Sequence, residues 1–252
     1  MKPPKKLKTL KKRLDILVVE RGLAESRQRA QAMILAGEIR VNQQAAPKAG
    51  AQVALDAQIE LSGPPLLYAS RGGLKLQGAL DDFAISPAGL ICMDVGSSTG
   101  GFTDCLLQRG ALRVYAIDVT TSQIAWKLRQ DSRVVLIECN ARYLKPPDLP
   151  ERAELVVIDV SFISVCKVLP ALVPLVAARA NFLILVKPQF ELQPGDIGKG
   201  GIVLDPHLHA RALENAHKCA TALGLQVLGH RPSHLKGAQG NQEYFLHARQ
   251  AG

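Results

Sequence analysis

Four charged residues sit where apolar sequence leaves them at the ends of expected strands or early in a helix. Asp159 closes the run Leu155-Val156-Val157-Ile158, and Lys187 closes Phe182-Leu183-Ile184-Leu185-Val186. Glu243 lies in Gly240-Asn241-Gln242-Glu243-Tyr244-Phe245, and Lys75 in Ser70-Arg71-Gly72-Gly73-Leu74-Lys75-Leu76. Buried strands seldom end in a charge for packing reasons alone. If the strands ending at 159 and 187 are neighbours, Asp159 and Lys187 emerge side by side, a general-base arrangement. A weakly acidic hydroxyl, such as that of a ribose, needs proton removal or close alignment before it accepts a transferred group. A lysine serves as the base only if its pKa falls, which desolvation or a second ammonium brings about. Lys75, early in a helix and so opposed to the helix dipole, can be that ammonium or can simply be exposed. Asp159 and Glu243 would then orient the two lysines. A structural ion pair at the sheet edge accounts for either pair alone, and less well for four residues around one turn.

That turn is Asp94-Val95-Gly96-Ser97-Ser98-Thr99-Gly100-Gly101-Phe102-Thr103-Asp104, which follows Leu90-Ile91-Cys92-Met93 and opens an amphipathic segment at 105–108. Strand, glycine turn and helix is the pattern of a ligand cradle, because glycine admits positive φ and the close approach of a ligand, and the helix start offers unpaired N–H groups. Asp118 closes a second apolar run, Val114-Tyr115-Ala116-Ile117, where an acid can grip ribose hydroxyls. The order G-x-x-x-G-G departs from the G-x-G-x-x-G of dinucleotide folds, and no G-K-[ST] marks a P-loop. The turn fits a ligand with a ribose and no pyrophosphate. S-adenosylmethionine is a ligand of that kind.

The elements that would carry these residues follow from the alternation of apolar runs and helical patterns after residue 90. Strands are predicted at 91–95, 113–118, 134–138, 155–159 and 181–187, and near 225–231 and 242–248. Helices between them make an α/β fold with a doubly wound parallel sheet covered on both faces. Ligands bind such sheets at the carboxyl ends of the strands, which marks Asp94, Asp118, Asn140, Asp159 and Lys187. Upstream, Leu14, Leu17 and Val18 predict a helix that stops at Gly22, and Ser26 caps a second one bearing Ala30, Met33 and Ile34 that stops at Gly37. Alternating pairs at 39 and 41, 53 and 55, and 59 and 61 predict short strands. The domains are accordingly a small α+β unit over 1–61, a linker over 62–69 containing Ser62-Gly63-Pro64-Pro65, and a larger domain over 70–252.

Composition supports this division. Of 252 residues, 47% are hydrophobic and 21% charged, which argues for a packed core and against disorder. The net charge is +9, and residues 1–60 hold twelve Lys or Arg against six Asp or Glu, two thirds of the excess. Such a surface favours polyanions; residues 1–12 taken alone read as a solvated basic tail. Five cysteines without a C-x-x-C pair argue for reduced core thiols and against a metal or disulfide framework. No apolar segment follows the basic start as in a secretory signal, and window 168–186 is broken by Pro170, Pro174, Arg179 and Asn181, so a cytoplasmic protein without membrane spans is expected.

Residues 13–42, R-L-D-I-L-V-V-E-R-G-L-A-E-S-R-Q-R-A-Q-A-M-I-L-A-G-E-I-R-V-N, resemble the S4-type RNA-binding domain. The resemblance implies RNA contacts for Arg13, Arg27, Arg29 and Arg40. The motifs S-R-G-G-L-K-L, D-V-G-S-S-T-G-G-F-T-D, A-W-K-L-R, N-A-R-Y-L, D-V-S-F-I-S, V-K-P-Q-F-E and G-N-Q-E-Y-F-L, in this order behind such a domain, closely resemble the TlyA family. Those proteins are rRNA 2′-O-methyltransferases of the FtsJ-like class, once called hemolysins. The resemblance implies a catalytic tetrad of Lys75, Asp159, Lys187 and Glu243. It also implies S-adenosylmethionine bound by Asp94, Gly96, Ser98, Gly100, Asp118 and Asn140, and transfer to a cytidine of ribosomal RNA. Thr120-Thr121-Ser122 departs from the glycine and tyrosine common there in relatives. The sequence ends soon after the Glu243 strand, where relatives that modify both subunits carry an extension, so the large-subunit rRNA is the expected target.

Three other readings are weaker. A pseudouridine synthase needs a catalytic aspartate in an R-L-D motif of its second domain, whereas Arg13-Leu14-Asp15 lies in the small module. A non-catalytic RNA-binding or ribosome-assembly factor has no need of all four charged residues. A hemolysin needs a route to membranes that the sequence lacks.

Overall fold

The computed structural model describes residues 10–24, 26–35, 37–62, 67–237 and 240–251. The chain divides into two compact units, residues 1–65 and 66–252.

The first unit holds β1 (Lys11–Arg13), α1 (Leu14–Glu20), α2 (Arg27–Leu35), β2 (Ile39–Val41), β3 (Gln44–Ala45), β4 (Gln52–Ala54) and β5 (Ile59–Leu61). Leu14, Leu17 and Val18 of α1 pack with Ala30, Met33 and Ile34 of α2 over Ile39 and Ile59. Ser26 Oγ accepts from Arg29 N at 3.2 Å, which caps α2. Gly22 and Gly37, at φ +69° and +74°, turn the chain out of the two helices. The expected basic tail is corrected at its end. Lys11, Lys12 and Arg13 form β1, antiparallel to β4, with Lys12 opposite Val53. The pairing satisfies backbone groups some forty residues apart in sequence, and a run of three basic residues carries no local sign of it. Residues 1–9 lie outside the described residues.

Of the expected linker, residues 63–66 lie outside the described residues. Ser62 N donates to Glu38 O at 2.8 Å in the first unit. Tyr68 is buried in the second, its hydroxyl 2.9 Å from Gln77 Oε1.

The second unit begins with α3 (Gly72–Asp82), followed by β6 (Ile91–Val95), α4 (Gly101–Gln108), β7 (Arg113–Asp118), α5 (Trp126–Arg129) and β8 (Val134–Glu138). Next come β9 (Ala153–Ile158), α6 (Leu169–Leu172), β10 (Val176–Val186), α7 (Pro188–Glu191), α8 (Pro206–Ala222), β11 (Leu225–Pro232) and β12 (Tyr244–Gln250). Seven strands form one sheet in the order β11-β12-β10-β9-β6-β7-β8. Successive side chains of a strand face opposite ways, so one strand feeds two cores. Val156, Ile158 and Ile184 pack with Leu169, Leu172 and Ala216 on one face. Leu155, Val157 and Leu183 pack with Leu76, Leu80 and Leu106 on the other. Burial of each such aliphatic side chain contributes on the order of 1.5–3 kcal/mol.

The sheet is mixed, which corrects the expectation of an all-parallel one. β10, β9, β6, β7 and β8 are parallel neighbours, but β12 runs antiparallel to both β10 and β11. Among the described residues joining β11 to β12 there is no crossover helix, and without one the chain returns in the opposite direction. Helix α4 also begins earlier than the 105–108 stretch expected, at Gly101. No described helix is long and apolar enough to cross a membrane.

Candidate active site

The glycine turn follows β6 and lies against the end of β9. Gly96 has φ +87°, and a Cβ there would stand 2.3 Å from the carbonyl oxygen of Asp159. Only glycine lets the two backbones approach so closely. Gly100, at φ +90°, leads into α4, and a Cβ on it would meet Leu128 Cδ1 at 2.2 Å. Ser98 takes φ +48° without the freedom of glycine, and its N–H donates to Asp118 Oδ2 at 2.9 Å. That bond ties the turn to the carboxyl end of β7. Strain of this kind persists where the surroundings enforce it.

Asp94 is fully buried. Its Oδ2 accepts from Thr103 Oγ1 at 2.6 Å, while Oδ1 has no hydrogen-bond partner. Burial, reinforced by the Asp159 and Asp118 carboxylates, outweighs the Thr103 bond and pushes the Asp94 pKa up to about 7. The orphaned oxygen is itself closed to solvent, while the Asp118 and Asp159 carboxylates near it line the clefts beside the turn, where a positively charged ligand would be favoured. Two clefts open on either side of Gly96, Ser98 and Asp159. One, of about 300 Å³, is walled by Ser70, Lys75, Thr99 and Phe102. The other, of about 390 Å³, has Asp118 and Asn140 at its rim and Val119, Ile163 and Val168 as apolar walls. Asn140 Oδ1 accepts from Arg142 N at 3.1 Å, which leaves its amide nitrogen for another partner. At the departure noted in the sequence, Thr121 N and Oγ1 both donate to Glu138 Oε2 at 2.9 Å, and Thr120 N donates to Asp118 Oδ1 at 3.2 Å. The two threonines thus fix the loop beside Asp118.

The two lysines and two acids come together beside this turn. Lys187 follows β10 and Asp159 follows its neighbour β9. Lys187 Nζ lies 2.5 Å from Asp159 Oδ1, an ion pair by distance at an angle unsuited to a hydrogen bond, and donates to Ser161 Oγ at 2.9 Å. Lys75, on the first turns of α3, reaches Glu243 Oε2 at 2.5 Å. Glu243 stands just before β12, and because β12 is antiparallel its start lies beside the end of β10, with Tyr244 opposite Val186. One reversed strand therefore delivers a carboxylate to the edge where the parallel strands end. Lys187 and Glu243 are 8% and 3% exposed, so each charge depends on its partner. A cavity of about 510 Å³ is bounded by both lysines, Glu243, Ser161, Phe162 and Phe190. A lysine held by a carboxylate and opening on a cavity can orient a bound hydroxyl and offset negative charge on its oxygen; it can accept a proton only after giving up its own.

Ser161 and Thr103 were not singled out as site residues. Ser161 stands two residues beyond Asp159, within Asp159-Val160-Ser161-Phe162, and its position in that motif was the available signal. Gly237 is another: a Cβ there would lie 2.4 Å from Glu243 Oε1, and nothing in the local sequence indicates this.

In the first unit Arg13 and Arg27 converge on Asp15. Arg13 Nε and Nη2 donate to its Oδ1 and Oδ2 at 3.0 and 2.8 Å, and Arg27 Nε donates to Oδ2 at 2.9 Å. Arg29 stands apart, 3.9 Å from Glu38, and Arg40 is exposed on β2, opposite Ala45 and Glu60. Asp15 is fully buried; in the sequence it stands out only as the last residue of the Arg13-Leu14-Asp15 triplet.

Comparison with known proteins agrees with both units. The FtsJ-like methyltransferase family matches residues 68–250, and the S4 domain matches residues 12–59. The chain is 47% identical over 236 residues to the 16S/23S rRNA (cytidine-2′-O)-methyltransferase TlyA of Mycobacterium tuberculosis, covering 93% of this chain and 88% of that one. It is 42% identical over 237 residues to Hemolysin A of Brachyspira hyodysenteriae, covering 93% of this chain and 98% of that one. A solved Streptococcus thermophilus structure carrying a provisional hemolysin label superposes with a TM-score of 0.76 at 40% identity, over 96% of this chain and 90% of that one. With its glycine turn, its mixed seven-stranded sheet and an S4 domain ahead of them, the chain belongs to the FtsJ-like methyltransferase family.

Proposed function

We propose that this protein transfers a methyl group from S-adenosylmethionine to the ribose 2′-oxygen of a cytidine in ribosomal RNA. The observation that carries the reading is the pair of lysine–carboxylate contacts, Lys75 with Glu243 and Lys187 with Asp159, beside a glycine turn whose Asp94 keeps one oxygen unpartnered. RNA as the substrate class agrees with the S4 domain. The choice of a cytidine in rRNA follows the mycobacterial relative, a 16S/23S rRNA (cytidine-2′-O)-methyltransferase by name, for which the large-subunit 23S rRNA is one of two targets. The large-subunit rRNA is the first candidate here, and a cytoplasmic site of action goes with it.

The cofactor would lie along Asp94, Gly96, Ser98 and Gly100, with Asp118 and Asn140 at the nucleoside end, and it supplies an electrophilic methyl on a sulfonium. The rest falls to the chain. Lys187, after releasing its own proton to solvent, would take the proton of the ribose hydroxyl as that oxygen accepts the methyl group. Asp159 and Ser161 hold its nitrogen in place, and Asp159 balances the ammonium that results. Lys75, held by Glu243, orients the hydroxyl and stabilises developing negative charge on its oxygen.

The test is transfer of radiolabelled methyl from S-adenosylmethionine to separated small and large ribosomal subunits, with Lys187→Ala as control. Label in 2′-O-methylcytidine of large-subunit rRNA is expected. Label on both subunits keeps the chemistry and widens the target. No label on either, with cofactor still bound, makes the protein a non-catalytic assembly factor.

A further inference from the structure

A carboxylate shut off from solvent under two arginines of an RNA-binding domain has a use beyond holding the domain together. Asp15 is the second residue of α1, its backbone N–H donating to Ala49 O at 3.0 Å. Its side chain accepts from Arg13 Nε and Nη2, from Arg27 Nε and, at 2.8 Å, from Gln31 Nε2. The carboxylate is fixed on every side. Its cover is thin, because the arginine side chains above it are 38% and 54% exposed.

We propose that Asp15 is a positioning residue that holds Arg13 and Arg27 as a paired fork for one phosphate of an RNA backbone, an inference that rests on the reading of this protein as acting on RNA. A guanidinium has five N–H donors in a rigid plane. Asp15 engages the Nε–Nη2 edge of Arg13 and only Nε of Arg27, so Arg13 Nη1 and both terminal nitrogens of Arg27 remain for a second acceptor. Two cations on one carboxylate oxygen repel each other, and the shared anion holds them within a few ångströms. Their remaining positive charge faces outward. Gly50 makes room for this, since a Cβ on it would lie 3.1 Å from Arg13 Nη1. The other arginines nearby are arranged differently. Arg21 directs its fork at the carbonyls of Ala57 and Leu55, at 2.6 and 2.7 Å, and Arg29 only approaches Glu38. Fixing two long side chains beforehand removes ordering cost from binding, and the planar forks match a phosphate's geometry.

The discriminating variant is Asp15→Asn in the full-length protein. It removes a negative charge, so simple electrostatics predicts tighter RNA binding; loss of positioning predicts weaker binding. Dissociation constants are measured on a large-subunit rRNA fragment by fluorescence anisotropy across a salt series, with folding monitored by circular dichroism. The expected result is Kd raised about tenfold, with a slope of log K against log salt shallower by about one, the signature of a lost phosphate contact. KM for RNA should rise with kcat at saturation within about twofold. A folded Asp15→Asn protein with wild-type or tighter Kd and an unchanged slope overturns the proposal. Should Asp15→Asn fail to fold, Arg27→Lys decides. It keeps the charge but cannot both hold Asp15 and offer a fork, so Kd should rise about fivefold or more, and an unchanged Kd overturns the proposal. Wild-type protein that binds RNA without methylating it would sink the catalytic reading and leave this one standing. Wild-type protein without salt-dependent RNA binding would sink this proposal.

Discussion

Two aspartates in this chain expose no surface to solvent, one beneath a thin cover of two arginines and one deep in the core, and they meet opposite fates. Asp15 lies under two guanidiniums and an amide, and the Arg13 hydrogen bonds hold its carboxyl well below the usual carboxylate range. Asp94 has one hydroxyl partner and an unpartnered oxygen, and burial pushes it up to about 7. The depth of burial and the partners provided together set the charge of an aspartate. Asp15 is complete within its own domain. Asp94 keeps one buried oxygen without a partner.

The comparison can be broken or sharpened by experiment, beginning with the largest effect. Lys187 belongs to the second unit, and in the role proposed for it the lysine acts on the substrate and not on the cofactor. Lys187→Ala should lower single-turnover methyl transfer by about 10³-fold, within the range of general-base catalysis, with cofactor Kd within about twofold by calorimetry. Lys187→Arg should be as inactive, because arginine does not give up its proton. Near-normal turnover in either variant would remove Lys187 from the role proposed for it.

Asp94 is tested by pH. The unfolded carboxyl ionises near 4 and the folded one near 7, so between these values the unfolded chain holds fewer protons and the ligand-free second unit loses stability as pH rises. The loss should total roughly 2–4 kcal/mol and level off above pH 7. In Asp94→Asn this slope should vanish from thermal melts. Asp15 behaves in the opposite sense: its contribution is full above about pH 4 and is lost as pH falls toward its lowered value. A second unit whose stability is flat between pH 4 and 7 would end the contrast.

Asp118→Ala should weaken cofactor binding by about 10–100-fold, the scale of a charged hydrogen-bond acceptor lost, and should also free Ser98 N. Smallest of all, Arg40→Ala should weaken RNA binding less than about threefold, because no buried carboxylate holds Arg40. Equal losses at Arg40 and Arg27 would deny the pinned pair any special place.

Much of this was legible because the relevant signals are local. The glycine turn announces itself by residues that need positive φ or close approach, and Asp118, Asp159 and Lys187 by interrupting apolar runs. The parallel strands were visible for the same reason. What was not legible depends on distant partners. β1 is a strand only because β4 pairs with it, and three basic residues give no period from which to infer that. The reversal of β12 follows from how its connection is routed, and Gly237 matters only because Glu243 is folded against it. Asp15 was given no role, because Arg13, Arg27 and Gln31 hold it through contacts that no sequence spacing encodes.

The reversed strand also sets a timetable. β12 is the last of the sheet strands to be synthesised, yet it inserts between β10 and β11. At roughly 5–20 residues per second, a ribosome makes Glu243 several seconds after Lys187. Throughout that interval β10 offers an unpaired edge, the kind of surface that invites wrong pairing, and Lys75 has no counterion. If Glu243 holds Lys75 as proposed, the nascent chain is inactive until its final hairpin closes, and a chain cut short before residue 243 would keep its cofactor turn and all its lysines and still not transfer methyl.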